Sequence, residues 1–314
     1  MKSSACKNYR SKNAFSLIEL SIVILIVGIL IAGVTSSSRL IKRMKVITAQ
    51  NLTQSSPVPS IKDLSVWYET TLDKSFVDSE ESDGTPITTW FDNNIQSSFK
   101  YDFKQATLAN QPKFSEGIIN NLPAIKFDGA DDHMVATSVG INGKGLTVFI
   151  VGQRVLYPSS FQVSVSGLAA GHNDDTNSGS VVAFADFGTY FISGTSSQWF
   201  SNGVTHQGNG APYILDTVFS GTTNLIYLNG VPGSGYGITT NFIIDSLRVG
   251  CKYSNAPAYF FNGYISEVII YSRALNTEER KSVEAYLGKK YAIKISSLLK
   301  IYDNFFKIKF VKIN

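Results

Sequence analysis

The chain has 314 residues, 43% of them hydrophobic, and a formal net charge of +4. That length and apolar content suit one sizeable packed body and exclude a disordered or collagen-like chain. The overall charge hides an asymmetry: residues 46–288 hold 13 Lys/Arg against 22 Asp/Glu, so the bulk of the chain is acidic and nucleic acid is not an expected partner.

Residues 1–14 form a basic leader, with Lys2, Lys7, Arg10 and Lys12 and no acid. An apolar run follows from Ala14 to Val34, interrupted by one carboxylate, Glu19. As a helix, a segment of that length rises about 30 Å, the thickness of a bilayer's hydrocarbon core. A carboxylate there costs about 2.5–3.5 kcal/mol on insertion scales, so it needs a partner or a use. Gly28 and Ala32 make a small-xxx-small pair, which permits close helix contact and equally fits ordinary helix composition. The leader's charge favours the cytoplasmic side, but Arg39, Lys42, Arg43 and Lys45 lie past the other end, so charge counting alone leaves the topology open. Leu40, Ile41, Met44 and Ile47 keep helical spacing, and the transmembrane and stem helix is expected over 15–52. Pro57 and Pro59, among small polar residues, mark 53–60 as a linker.

From residue 61 to about 273 the pattern is β. Runs at 146–151, 181–184, 190–192, 225–228 and 264–271 are rich in β-branched and aromatic residues. Asp128-Gly129, Asn142-Gly143, Asn202-Gly203 and Asn229-Gly230 read as turns between such strands. Many short strands over this length predict a mainly β fold: a two-sheet antiparallel sandwich of jelly-roll size, spanning 61–293. One helix closes it, with Asn276 as N-cap, Glu279 completing a capping box and Gly288 marking the end. Residues 294–314 are a basic, apolar tail that fits an amphipathic membrane-surface element, an added edge strand or an extension without a role, the last two jointly favoured. Cys6 lies in the leader, which leaves Cys251 as a small buried residue in a strand with no intrachain disulfide.

Phe15-Ser-Leu-Ile-Glu-Leu20, with its basic leader and Ile/Val/Leu run, resembles a type IV prepilin or pseudopilin N-terminus. The resemblance implies cleavage between Ala14 and Phe15 by a prepilin peptidase, N-methylation of Phe15, and assembly with other pilin-like subunits through Glu19. The family's usual residue before the cut is Gly, and this chain has Ala14 there. It also implies an inner-membrane protein with a cytoplasmic leader, later carried in a periplasmic or surface filament of a pilus or secretion pseudopilus. The body resembles laminin-G-like, concanavalin A-like jelly rolls through Trp90-Phe-Asp92, Leu122–Asp132, Leu228-Asn-Gly230 and Phe261–Tyr271. That resemblance implies a sandwich used to bind glycans or protein surfaces.

No hydrolase constellation is present. Catalytic carboxylates at alternating positions of one strand would share a face, and the strand at 264–271 offers Glu267 alone. His133, His172 and His206 are scattered singly and read as surface residues, so the expectation is a binding protein rather than an enzyme. Calcium is the one cofactor that the residues suggest. Asp128, Asp131 and Asp132 share a turn, and Asp174 and Asp175 share a Gly/Asn/Ser-rich loop. Hard cations take several such oxygens. The competing reading, that these aspartates only make turns, carries more weight because no EF-hand-like spacing accompanies them. Trp199 and Tyr253 are candidates for stacking on a sugar ring, or for ordinary packing.

Overall fold

The computed structural model describes residues 17–155, 161–169, 180–187, 190–195, 198–205, 208–239, 241–252 and 257–296. The chain divides into two compact units, Met1–Met44 and Lys45–Asn314. Helix α1 (Leu17–Gln54) begins in the first unit, where the apolar side chains between Leu17 and Leu30 are exposed and, apart from its chain neighbours and the adjoining helix backbone, no atom lies within 4 Å of the position a Cβ on Gly28 would take. Among the described residues no helix is long and apolar enough to cross a membrane.

The second unit is a β-sandwich of two antiparallel sheets, as the sequence predicts. In chain order its strands are β1 (Leu64–Glu69), β2 (Thr89–Trp90), β3 (Phe103–Lys104), β4 (Lys113–Ile119), β5 (Leu122–Asp128), β6 (Met134–Gly143), β7 (Leu146–Arg154), β8 (Gln162–Ala169) and β9 (Val181–Phe187). They continue as β10 (Tyr190–Thr195), β11 (Gln198–Thr205), β12 (Pro212–Phe219), β13 (Thr223–Leu228), β14 (Val231–Pro232), β15 (Tyr236–Gly237), β16 (Phe242–Val249) and β17 (Asn262–Tyr271). One sheet runs β14-β13-β12-β7-β17-β5-β4, with β1 also on β17 and β15 on β13. The other runs β11-β10-β9-β8-β16-β6-β3-β2.

Between the sheets lies a core that includes Val66, Tyr68, Trp90, Phe103, Phe127, Val148, Ile150, Phe184, Val249 and Val268. The first sheet is covered on its other face too, by the end of α1 and by helix α2 (Thr277–Tyr291). There Ala49, Val58, Trp67, Phe149, Val151, Ile214, Ile269, Val283 and Leu287 form a second cluster. Two covered faces explain why β7 is buried almost throughout rather than alternating, while β13, covered less, alternates.

Several expectations change. The stretch 53–60 is packed rather than a free linker: α1 runs to Gln54, Thr53 and Val58 are fully buried, and Val58–Ser60 forms a 3-10 turn. Asn202-Gly203 lies inside β11 instead of at a turn. Asn229-Gly230 does turn the chain between β13 and β14, both residues at positive φ (50° and 78°). The α2 capping box at Asn276 and Glu279 forms as expected. Gly288, however, sits within the helix, which ends at Tyr291 with Ala292 in the left-handed conformation. Its glycine is explained by packing. A Cβ there would meet Ile295 Cγ1 at 2.7 Å and the Ile293 carbonyl at 2.9 Å, because 293–295 folds back against the helix. The tail beyond Ser296 lies outside the described residues.

Candidate functional site

Ala14 and Phe15 lie outside the described residues; Glu19 is in the first turn of α1 and exposed. Asp174, Asp175, His172, His206 and Tyr253 also lie outside them, as does the Trp199 side chain, whose backbone belongs to β11 rather than a loop.

The aspartate turn is fully described. Asp128 Oδ1 accepts the backbone N–H groups of Ala130 (2.8 Å), Asp131 (3.3 Å) and Asp132 (3.4 Å), and Asp132 Oδ2 accepts the N–H of Asp128 (3.0 Å). These bonds close the turn on which Gly129 takes φ +81°. One ligand oxygen from each of Asp128, Asp131 and Asp132 lies within 4.8 Å of the others. Burial, then the neighbouring Asp128 and Asp131 charges, push the Asp132 carboxyl up to about 7. His133 is buried, not on the surface: Nδ1 lies 2.8 Å from the Asp131 carbonyl and Nε2 3.2 Å from Gln105 Nε2. Burial holds its pKa below the ordinary histidine value.

Beside this turn is a groove of about 400 Å3, lined by Pro86, Leu108, Ala109, Gln111, Lys113, Lys126, Asp128 and Asp132. Phe114, Ile125 and Phe127 point into the inter-sheet core, so Lys113 and Lys126 point outward from β4 and β5. They are direct cross-strand partners, and Lys126 is opposite Tyr264, which is opposite Gln153. The row Lys113–Lys126–Tyr264–Gln153 therefore crosses four strands on the outer face, at the end that the helices leave open.

The covered part of that face carries a different arrangement. Glu69 and Glu267 are direct cross-strand partners, both fully buried, and Lys290 of α2 donates to each at 2.9 Å. Glu267 also accepts from Trp67 Nε1 (2.8 Å) and from the hydroxyls of Tyr286 and Tyr291 (2.9 Å each). These bonds tie the strand-borne carboxylate of β17 to α2. Burial alone would raise the Glu69 pKa, but the Lys290 charge and hydrogen bonds from Ser75 and Thr71 bring it below the usual range. Lys290 is raised, the two glutamates outweighing its burial. The hydroxyls of Thr53 and Tyr286 lie 3.2 Å apart, tying in the end of α1. Asn120, in the two-residue turn between β4 and β5, bonds Lys45 Nζ (3.2 Å) and the Lys290 carbonyl (2.9 Å).

A second buried set fixes α2 to β12. Arg280 Nη1 reaches Asp216 Oδ2 (3.4 Å) and Glu284 Oε1, and its guanidinium lies 3.5 Å over the Tyr227 ring. Burial and the Glu284 charge raise Asp216 well above the carboxylate range; Glu284 is raised by burial. Cys251 is buried as expected, its thiol pushed up to about 12, although it lies just past β16 rather than in it. Sequence reasoning missed the Lys113–Lys126 pair and both networks. Lys290 lies 221 residues from Glu69, and no local spacing signals such a partnership.

Residues 9–35 match the family model described as a prokaryotic N-terminal methylation motif. No curated protein matches the chain. Among solved structures it is similar to Trypanosoma rangeli sialidase, at 13% identity and a TM-score of 0.51, over 79% of this chain and 38% of that one. It is also similar to Domain 4 of AbnA, an extracellular arabinanase from Geobacillus stearothermophilus, at 16% identity and a TM-score of 0.46, over 71% of this chain and 97% of that one. The chain thus spans about two fifths of the sialidase, and the likeness concerns the sandwich fold alone.

Proposed function

We propose that the chain is a type IV pilin-like subunit that displays a glycan-binding β-sandwich head. The observation carrying the first half is the methylation motif at 9–35, which includes Ala14, Phe15 and Glu19. In this reading a prepilin peptidase cuts between Ala14 and Phe15, and the apolar run holds the subunit in the membrane before assembly. The new Phe15 amine is a cation four residues from Glu19, and in a bundle it neutralises the Glu19 of a neighbour, offsetting the cost of burying either charge. The open surface around Gly28 suits close helix packing in such a bundle.

The head reading is supported by the sandwich fold and by an open, polar face beside a groove. The head binds without turnover in this proposal, since Glu267 is saturated by Trp67, Tyr286, Lys290 and Tyr291. A head of this bulk suits a minor subunit. Mass spectrometry of the mature N-terminus is the test. N-methyl-phenylalanine at residue 15 is the expected result, and a start near residues 33–38, as for an ordinary secretion signal, refutes it.

A further inference from the structure

The nine-stranded sheet contains two like-charged cross-strand pairs and treats them in opposite ways. Glu69 and Glu267 are neutralised by Lys290, driven between them from α2. Lys113 and Lys126 stand equally directly opposed, an arrangement that disfavours the sheet. Among the described residues neither forms an ion pair or side-chain hydrogen bond, and Lys113 acts on Asp132 only through its field. A lysine on an edge strand, as Lys113 is on β4, blunts unwanted pairing, but Lys113 and Lys126 also wall the groove.

The rest of the lining limits what supplies the missing negative charge. Asp128 and Asp132 stand on the same groove and disfavour a densely anionic group such as a polyphosphate, yet their oxygens accept hydroxyl protons. Gln111 donates its amide N–H to the Gln105 carbonyl at 2.9 Å, which leaves its side-chain oxygen as a further acceptor. Leu108, 70% exposed, with Pro86 and Ala109, provides an apolar surface for the C–H face of a ring. One negative charge, several hydroxyls and an apolar face describe a uronic-acid-type sugar. The volume, about 400 Å3, falls within the ~300–1,000 Å3 of small-ligand clefts.

We propose that this groove binds an acidic sugar, with its carboxylate at Lys113 and Lys126 and its hydroxyls at Asp128, Asp132 and Gln111. The proposal rests on the reading of the sandwich as a glycan-binding head and adds the site and the ligand class. The test is calorimetric titration of the full chain in mild detergent with an oligogalacturonate, a neutral galacto-oligosaccharide and a sulfated oligosaccharide. The expected result is binding of the oligogalacturonate, weakened by salt, unaffected by a calcium chelator, and reduced about tenfold or more in Lys113→Gln/Lys126→Gln. Lys62→Gln, at the far end of β17 beside Arg273, should leave it unchanged. The double variant removes a repulsion between exposed groups, so its melting temperature should not fall. Binding of the neutral sugar alone, or binding indifferent to both lysines, overturns this assignment and leaves a glycan-binding head standing. Equal binding of the sulfated sugar overturns the single-carboxylate class, and loss of binding on chelation overturns the lysines as the counter-charge. No binding to any sugar on a broad glycan array overturns the head reading and this proposal with it.

Discussion

Replacing Lys290 with Met tests what holds α2 to the sandwich. The ammonium is fully buried and bonds Glu69 and Glu267 at 2.9 Å each, while those two glutamates face each other across β1 and β17. Met keeps much of the stem's volume but leaves two buried carboxylates opposed without a counter-ion. Breaking a buried pair by removing one partner costs about 3–5 kcal/mol. For a body of this size each kcal/mol lowers the melting temperature by roughly 2–4 °C, so a fall of about 6–20 °C is expected. The pH dependence identifies the cause. In the parent chain Glu69 is held below its usual range, so its contribution is present above the unfolded value near ~4.3 and is lost as pH falls through the lower folded value. Lys290 is raised, so its contribution is complete below about 10.4 and is lost as pH rises through the higher folded value. Without Lys290 the carboxylates are instead driven to hold a proton. The variant's deficit should be largest at neutral pH and shrink in acid, measured as unfolding free energy against pH in detergent. A second variant, Glu69→Gln/Lys290→Met, removes one of the stranded charges and should recover part of the loss. A deficit under about 1 kcal/mol, or one independent of pH, refutes the account.

Asp216→Asn addresses the second network. Asp216 is raised well above the carboxylate range, so the native chain binds a proton there that the unfolded chain releases, and parent stability declines as pH rises above about 4. The amide mimics the protonated carboxyl, so the variant should stay within about 1 kcal/mol of the parent in mild acid and gain on it in alkali. An unchanged pH slope in urea unfolding counts against a proton held on Asp216 in the folded chain. Gly288→Ala sets helix propensity, a gain of about 1 kcal/mol, against a Cβ placed 2.9 Å from the Ile293 carbonyl. Because the obstacle includes backbone, a net loss of about 1–3 kcal/mol is expected in thermal unfolding; a rise in melting temperature would show that 293–295 yields easily.

Features whose causes are local were legible in the chain. Asn276 and Glu279 lie three residues apart, so the capping box and the start of α2 could be read directly. Asn229-Gly230 carries the positive-φ preference that turns β13 into β14, and the β-branched runs announced β7, β13 and β17. Glu19 and its flanks stood out because an apolar run makes one charge conspicuous. The same logic failed where the cause lay elsewhere in the chain. Gly288 resembled a helix end, yet its glycine answers to Ile295 folding back over it. His133, with no local signal of burial, packs its ring against Gln105, 28 residues away. Glu267 looked like a lone acid until Trp67, 200 residues away, and Lys290 met it. Strand pairing alone decided that Glu69 opposes Glu267 and that Lys113 opposes Lys126. Local propensity depends on neighbours in the chain, but the value of a buried or opposed charge depends on what packing brings within a few ångströms, and only the tertiary structure supplies that.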